Sequence, residues 1–79
     1  MKKENDFVPV REYGASEIRA IRNSLGMTQA VFALFMGVSN KTVEAWESGR
    51  NMPDGPARRL LALAQEDPKI TEKCRATSV

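Results

Sequence analysis

Apolar residues recur at helical spacing in successive stretches of this chain, each bounded by residues that start or stop helices. Ile18, Ile21 and Leu25 make one stripe; Ala15 or Ser16 caps it, Glu17 suits its positive end and Gly26 stops it, predicting a helix over Ser16–Leu25. Phe32 and Met36 then fall four apart between Thr28, a good N-cap followed by Gln29 and Ala30, and Gly37. Val43 and Trp46 fall three apart between Ser39, a second cap, and Gly49. The turn Met52-Pro53-Asp54-Gly55-Pro56 offers Asp54 as a cap and Pro56 for the first turn of a helix reaching about Gln65, with Leu60, Leu61, Leu63 and Ala64 toward the core. Asp67-Pro68 breaks that helix, and Pro68 to about Arg75 predicts a short last one with Ile70 and Cys74 inward.

Outside these stretches the pattern fades. Residues 1–14 have no helical period and are expected to be a flexible lead-in, although Phe7, Val8 and Val10 form a β-prone cluster that could instead pair, extended, with another chain. Residues 76–79 are expected to fray. The expectation is an all-α fold of five helices in one domain over residues 15–75.

Only Gly37, Val38 and Ser39 separate the second and third helices, which is the spacing of a helix-turn-helix spanning residues 28–49. Ala33, one turn before Gly37, is small enough to let the second of those helices cross closely over the first. Val31, Leu34 and Phe35 exceed what one core stripe needs, so either the fourth helix or the N-terminal segment covers them, or they face a dimer mate or other partner. The outward face of the second motif helix is expected to show Asn40, Lys41, Glu44 and Ala45. Those residue types suit base edges: Asn pairs bidentately with adenine, Lys reaches guanine or phosphate, and a carboxylate accepts from cytosine N4. The hydroxyls of Ser39 and Thr42 suit phosphate, as does Gln29 beside the amides of a helix start. Trp46, three residues from Val43, reads as core rather than as a base-stacking platform. Arg58 and Arg59 are either a solvated face or a secondary phosphate patch.

The run TQAVFALFMGVSNKTVEAWESGRNMP is similar to the helix-turn-helix of Xre/Cro-type regulators, the family that includes the lambdoid phage repressors. Thr-Gln opening the first helix, Ala33, Gly-Val-Ser, Val-x-x-Trp-Glu and the following Gly-Arg carry the resemblance, and GPARRLLALAQEDP looks like the fourth helix of small single-domain members. Many of those are antitoxins of the HigA-like group. The resemblance covers residues 16 to 68 and implies a lambda-repressor-like five-helix bundle. It implies a repressor that binds double-stranded DNA as a dimer on a palindromic site. It also implies that the loop starting at Arg50 and Asn51 lies along the DNA backbone, and that Arg22 pairs with Glu47, locking the first helix to the end of the recognition helix. Read alone, Arg22 could equally be a solvated arginine whose stem covers apolar surface. The antitoxin subgroup implies a second role, neutralising a partner toxin, for which a flexible terminal segment can serve as the binding arm.

Bulk properties narrow the picture further. At 79 residues the chain has room for one small domain, stabilised modestly on its own. A formal charge of +2 and a pI near 9.0 are compatible with nucleic acid without naming it. Between Thr28 and Gly49 the charges are Lys41 against Glu44 and Glu47, a local excess of one negative charge. Cys74 is the single cysteine, so no internal disulfide forms, and with no signal peptide or membrane span in the pattern a reducing cytoplasm is expected. The chain has no histidine, no clustered carboxylates, no Gly-rich phosphate loop and no metal-ligand spacing. No enzyme, cofactor or metal is expected.

Overall fold

The computed structural model describes residues 6–76, with α1 at Ala15–Ser24, α2 at Gln29–Met36, α3 at Asn40–Ser48, α4 at Gly55–Glu66 and a terminal 3₁₀ helix at Pro68–Cys74. No strand occurs among the described residues, and the all-α expectation holds. The expected lead-in at 1–5 and fraying at 77–79 lie outside them.

Each boundary has a local cause. Thr28 Oγ1 accepts the Val31 amide at 3.1 Å, Ser39 Oγ the Thr42 amide at 3.1 Å, and an Asp54 carboxylate oxygen the Ala57 amide at 3.0 Å, so three helices start on side-chain caps. α1 departs from expectation: its N-cap is Gly14, not Ala15 or Ser16. Glu17 reaches back to accept the Gly14 amide at 2.9 Å. Gly37 and Gly49 adopt φ of 73° and 82°, left-handed values that let the chain turn while the next amide bonds back into the helix, Val38 N to Ala33 O at 3.0 Å and Arg50 N to Ala45 O at 2.9 Å.

One core joins the four α-helices. Ile18 and Ile21 from α1, Phe32, Ala33 and Met36 from α2, Val43 and Trp46 from α3, and Leu61 from α4 are buried together. α3 packs on α2 and α1, α4 packs on α1, and the 3₁₀ helix packs on α4. Burial of Ala33 at the α2 turn fits the close crossing expected there.

Several positions depart from the sequence reading. Tyr13, from the stretch expected to be flexible, is 1% exposed and joins the core, and its hydroxyl donates to Gln65 Oε1 of α4 at 3.2 Å. Nearby, an Arg59 guanidinium nitrogen donates to the Val8 carbonyl at 2.7 Å, tying the extended segment to α4, while Phe7 and Val8 keep their side chains exposed. Leu63 is 49% exposed rather than inward. In the terminal helix, which is 3₁₀ rather than α, Thr71 is buried, Ile70 is half-buried and Cys74 is exposed, so Cys74 departs from the expected inward Ile70–Cys74 stripe. The excess apolar face of α2 is only partly covered. Phe35 packs near Phe32, ring centroids 6.5 Å apart, but Leu34 is 82% exposed. It lines an open cavity of about 310 Å³ between α2 and the 3₁₀ helix, together with Met27, Val31, Phe35, Thr71 and Cys74.

Candidate nucleic-acid interface

The first turn of α3 carries the expected chemistry to the surface. Asn40, Lys41 and Glu44 are exposed, because the inward arc of this amphipathic helix is occupied by Val43, Trp46 and Glu47. Asn40 Nδ2 donates to Glu44 Oε2 at 3.1 Å, one turn along. Ser39 and Thr42 hydroxyls lie 2.9 Å apart, and the pair retains one hydroxyl hydrogen to donate outward. Ala45 does not belong to this face. It is 7% exposed, and its carbonyl accepts the Arg50 and Asn51 amides at 2.9 and 3.3 Å and Ser48 Oγ at 3.1 Å, bonds that close the C-terminal end of α3. Ala45 is therefore withdrawn from the base-reading set.

Arg50 and Asn51 are exposed in the loop those amides anchor, and Arg50 Nε donates to Ser48 Oγ at 3.2 Å. The loop is thus tethered to the C-terminal end of α3. Arg58 and Arg59 are half-buried, with guanidinium nitrogens on the carbonyls of Pro53 and Val8, so their hydrogen bonds fasten the chain around α4.

Behind the face lies a polar joint. Arg22 Nε meets Glu47 Oε2 at 2.7 Å and a terminal guanidinium nitrogen meets Oε1 at 3.1 Å, a bidentate pair whose side chains are 15% and 4% exposed. The other terminal nitrogen of Arg22 donates to the Met27 carbonyl at 3.0 Å. Gln29 Nε2 donates to Glu47 Oε1 at 3.0 Å, and an Arg19 nitrogen reaches the Glu47 carbonyl at 3.4 Å. Burial pushes the Glu47 carboxyl up, but the hydrogen bonds from Arg22 and Gln29 and the charges of Arg22 and Arg19 outweigh it and hold the group below its ordinary value. The bond to Glu47 raises Arg22 in turn. Glu47 therefore points at Arg22, not at a ligand, and the negative excess counted along the motif disappears from its outer face.

Gln29 proves half-buried rather than simply exposed, yet its amide nitrogen carries two hydrogens, and the bond to Glu47 uses one. Sequence reasoning missed this link and the roles of Arg19 and Met27. The Asn40–Glu44 bond had a signal, a side-chain pair at i,i+4. Among the described residues no group of three His, Cys, Asp or Glu side chains is placed to hold a metal ion, and no helix is long and apolar enough to cross a membrane.

Comparison with known proteins meets this geometry. The pattern of the helix-turn-helix family matches residues 18–65, from the middle of α1 through α4. The chain is 43% identical over 53 residues to the antitoxin HigA-2 of Vibrio cholerae serotype O1, covering 67% of this chain and 51% of that protein. It is 32% identical over 63 residues to the uncharacterized HTH-type transcriptional regulator YiaG of Escherichia coli K12, covering 80% of this chain and 66% of that one. The chain thus spans about half of the first relative and just under two thirds of the second. With the matched residues carrying both motif helices and the joint behind them, the chain belongs to the helix-turn-helix family, of the Xre type.

Proposed function

We propose that this protein is a sequence-specific transcriptional repressor that binds a palindromic operator as a homodimer, with α3 in the major groove. The observation that carries this reading is the exposed polar first turn of α3, a helix whose last turn is fixed against α1 by a bidentate ion pair. Asn40 and Lys41 read base edges, and Glu44 faces cytosine N4 or solvent, since close to phosphate it would repel. Gln29, Ser39, Thr42, Arg50 and Asn51 contact the backbone. One such module gives limited affinity, so two copies bind half-sites about one helical turn, roughly 34 Å, apart. A cytoplasmic location accompanies this role.

The likeness to HigA-2 favours a second, compatible reading, in which the chain also neutralises a partner toxin and DNA binding autoregulates the pair. A neighbouring short reading frame encoding a basic, toxin-like protein would support it, and inspection of the flanking DNA tests this. The primary test is fluorescence anisotropy against duplex from the protein's own upstream region and a shuffled control, at two salt concentrations. Preference for the native duplex that weakens steeply with salt supports the repressor reading. Equal, weak binding to both removes autoregulation by this chain alone, and a pull-down for a partner follows.

A further inference from the structure

The hydrogen bond between Asn40 and Glu44 bears on which base the helix selects. Both side chains are exposed at the start of α3, yet Asn40 Nδ2 donates to Glu44 Oε2 at 3.1 Å. A carboxylate only accepts, so this contact fixes which end of the Asn40 amide faces along the helix. It also occupies one of the two amide hydrogens. What remains for a base is one N–H and the carbonyl Oδ1.

We propose that Glu44 acts as the specificity-determining residue for the base pair met by Asn40, restricting that position to adenine. The inference rests on the proposed reading that α3 enters the major groove. Adenine offers an acceptor at N7 and a donor at N6, which match the remaining N–H and Oδ1 of Asn40. Guanine offers two acceptors, N7 and O6. An Asn amide with both hydrogens available can turn its nitrogen toward that edge, but one hydrogen held by Glu44 leaves Oδ1 facing O6, and the Glu44 carboxylate adds a second repulsive group beside it. Glu44 thus selects without itself having to touch the base. It excludes guanine, which is selection against a competitor rather than added affinity for the target.

The test is selection of duplexes from a randomised DNA pool by the full chain, followed by competition binding of the winning duplex and its single-base variants. The wild type is expected to enrich a motif with one adenine position that Asn40→Ala abolishes. Glu44→Ala is expected to keep the remainder of the motif and bind the guanine variant on the order of tenfold better relative to adenine than the wild type does. Glu44→Gln, whose carbonyl can still accept from Asn40 Nδ2, is expected to retain most of the adenine preference. The proposal is overturned if Glu44→Ala leaves adenine over guanine unchanged at the Asn40 position, or if it alters a different base pair, which makes Glu44 an independent reader. A wild type that folds, by circular dichroism, but enriches no sequence overturns the DNA-reading role itself, an outcome separable from the other two.

Discussion

Gln29 and Glu47 stand eighteen residues apart, and a single 3.0 Å hydrogen bond joins the first turn of α2 to the last turn of α3. The same carboxylate takes both forks of Arg22 from α1. Three helices therefore meet on one buried side chain. Its satisfied lone pairs explain how a charge can sit beside Trp46 in a small core.

Breaking this joint from either side leaves an uncompensated buried group. Arg22→Met and Glu47→Leu are each expected to cost roughly 3 kcal/mol, near the low end for a buried pair because Arg22 is partly exposed. The double variant should lose at least about 1 kcal/mol less than the sum. Thermal or urea unfolding of all four proteins measures this. Strictly additive losses would show that the two residues act separately.

Acid should loosen the fold through the same carboxylate. The folded-state pKa of Glu47 is lowered, so its contribution is complete above the unfolded glutamate value, about pH 4, and is lost as pH falls through the folded value. Glu17, held low by the Gly14 amide and then by Arg11, titrates in the same window. Melting temperature is therefore expected to fall between neutral pH and about pH 3. Glu47→Gln, already weaker at pH 7, should show a shallower fall, and an equally steep one would remove Glu47 from the acid response.

Ser39→Ala removes the side-chain cap of α3 and leaves the Thr42 amide only its bond to the Ser39 carbonyl. A loss of about 1 kcal/mol is expected, a drop of some 4–8 °C for a domain of this size. Ser39→Asp, which caps as well, should restore the melting temperature, so failure to recover would point to a role beyond capping.

Tyr13 tests whether the segment before α1 contributes to the core. Tyr13→Ala is expected to cost about 3–5 kcal/mol, as large aromatic truncations do. Tyr13→Phe, which loses only the bond to Gln65, should cost about 1 kcal/mol. Equal stability of Tyr13→Ala and wild type would mean the segment is dispensable.

On DNA, two cations should separate by behaviour. Arg50→Ala is expected to weaken native and shuffled duplexes alike and to lower the salt slope by about one. Lys41→Ala should cost more on the native duplex than on the shuffled one. Anisotropy titrations at several salt concentrations distinguish these outcomes, and identical effects would merge the two roles.

The helices were legible because their signals are local. Thr28, Ser39 and Asp54 begin helices with their own side chains, and Gly37 and Gly49 turn the chain at left-handed φ, so a few neighbouring residues settle each boundary. The polar face at Asn40, Lys41 and Glu44 follows from the same helical period. What was not legible depends on distant chain. Tyr13 is buried by contact with α4, fifty-two positions away at Gln65, and no period announces it. Ala45 lies where a regular helix looks outward yet is buried, which the helical period does not announce. The last element is 3₁₀ rather than α, with Thr71 buried and Cys74 exposed, a distinction that a short apolar pattern does not carry.

The separation of duties along α3 sets how this protein can change over generations. Val43, Trp46 and Glu47 hold the helix in place, whereas Asn40, Lys41 and Glu44 contribute nothing to the core. Substitutions at those three surface positions leave folding almost untouched, within the roughly 0.5 kcal/mol typical of exposed sites. New operator preferences are therefore within single-residue reach of a chain that keeps folding at every step, and duplicated copies can diverge in what they recognise while sharing one scaffold.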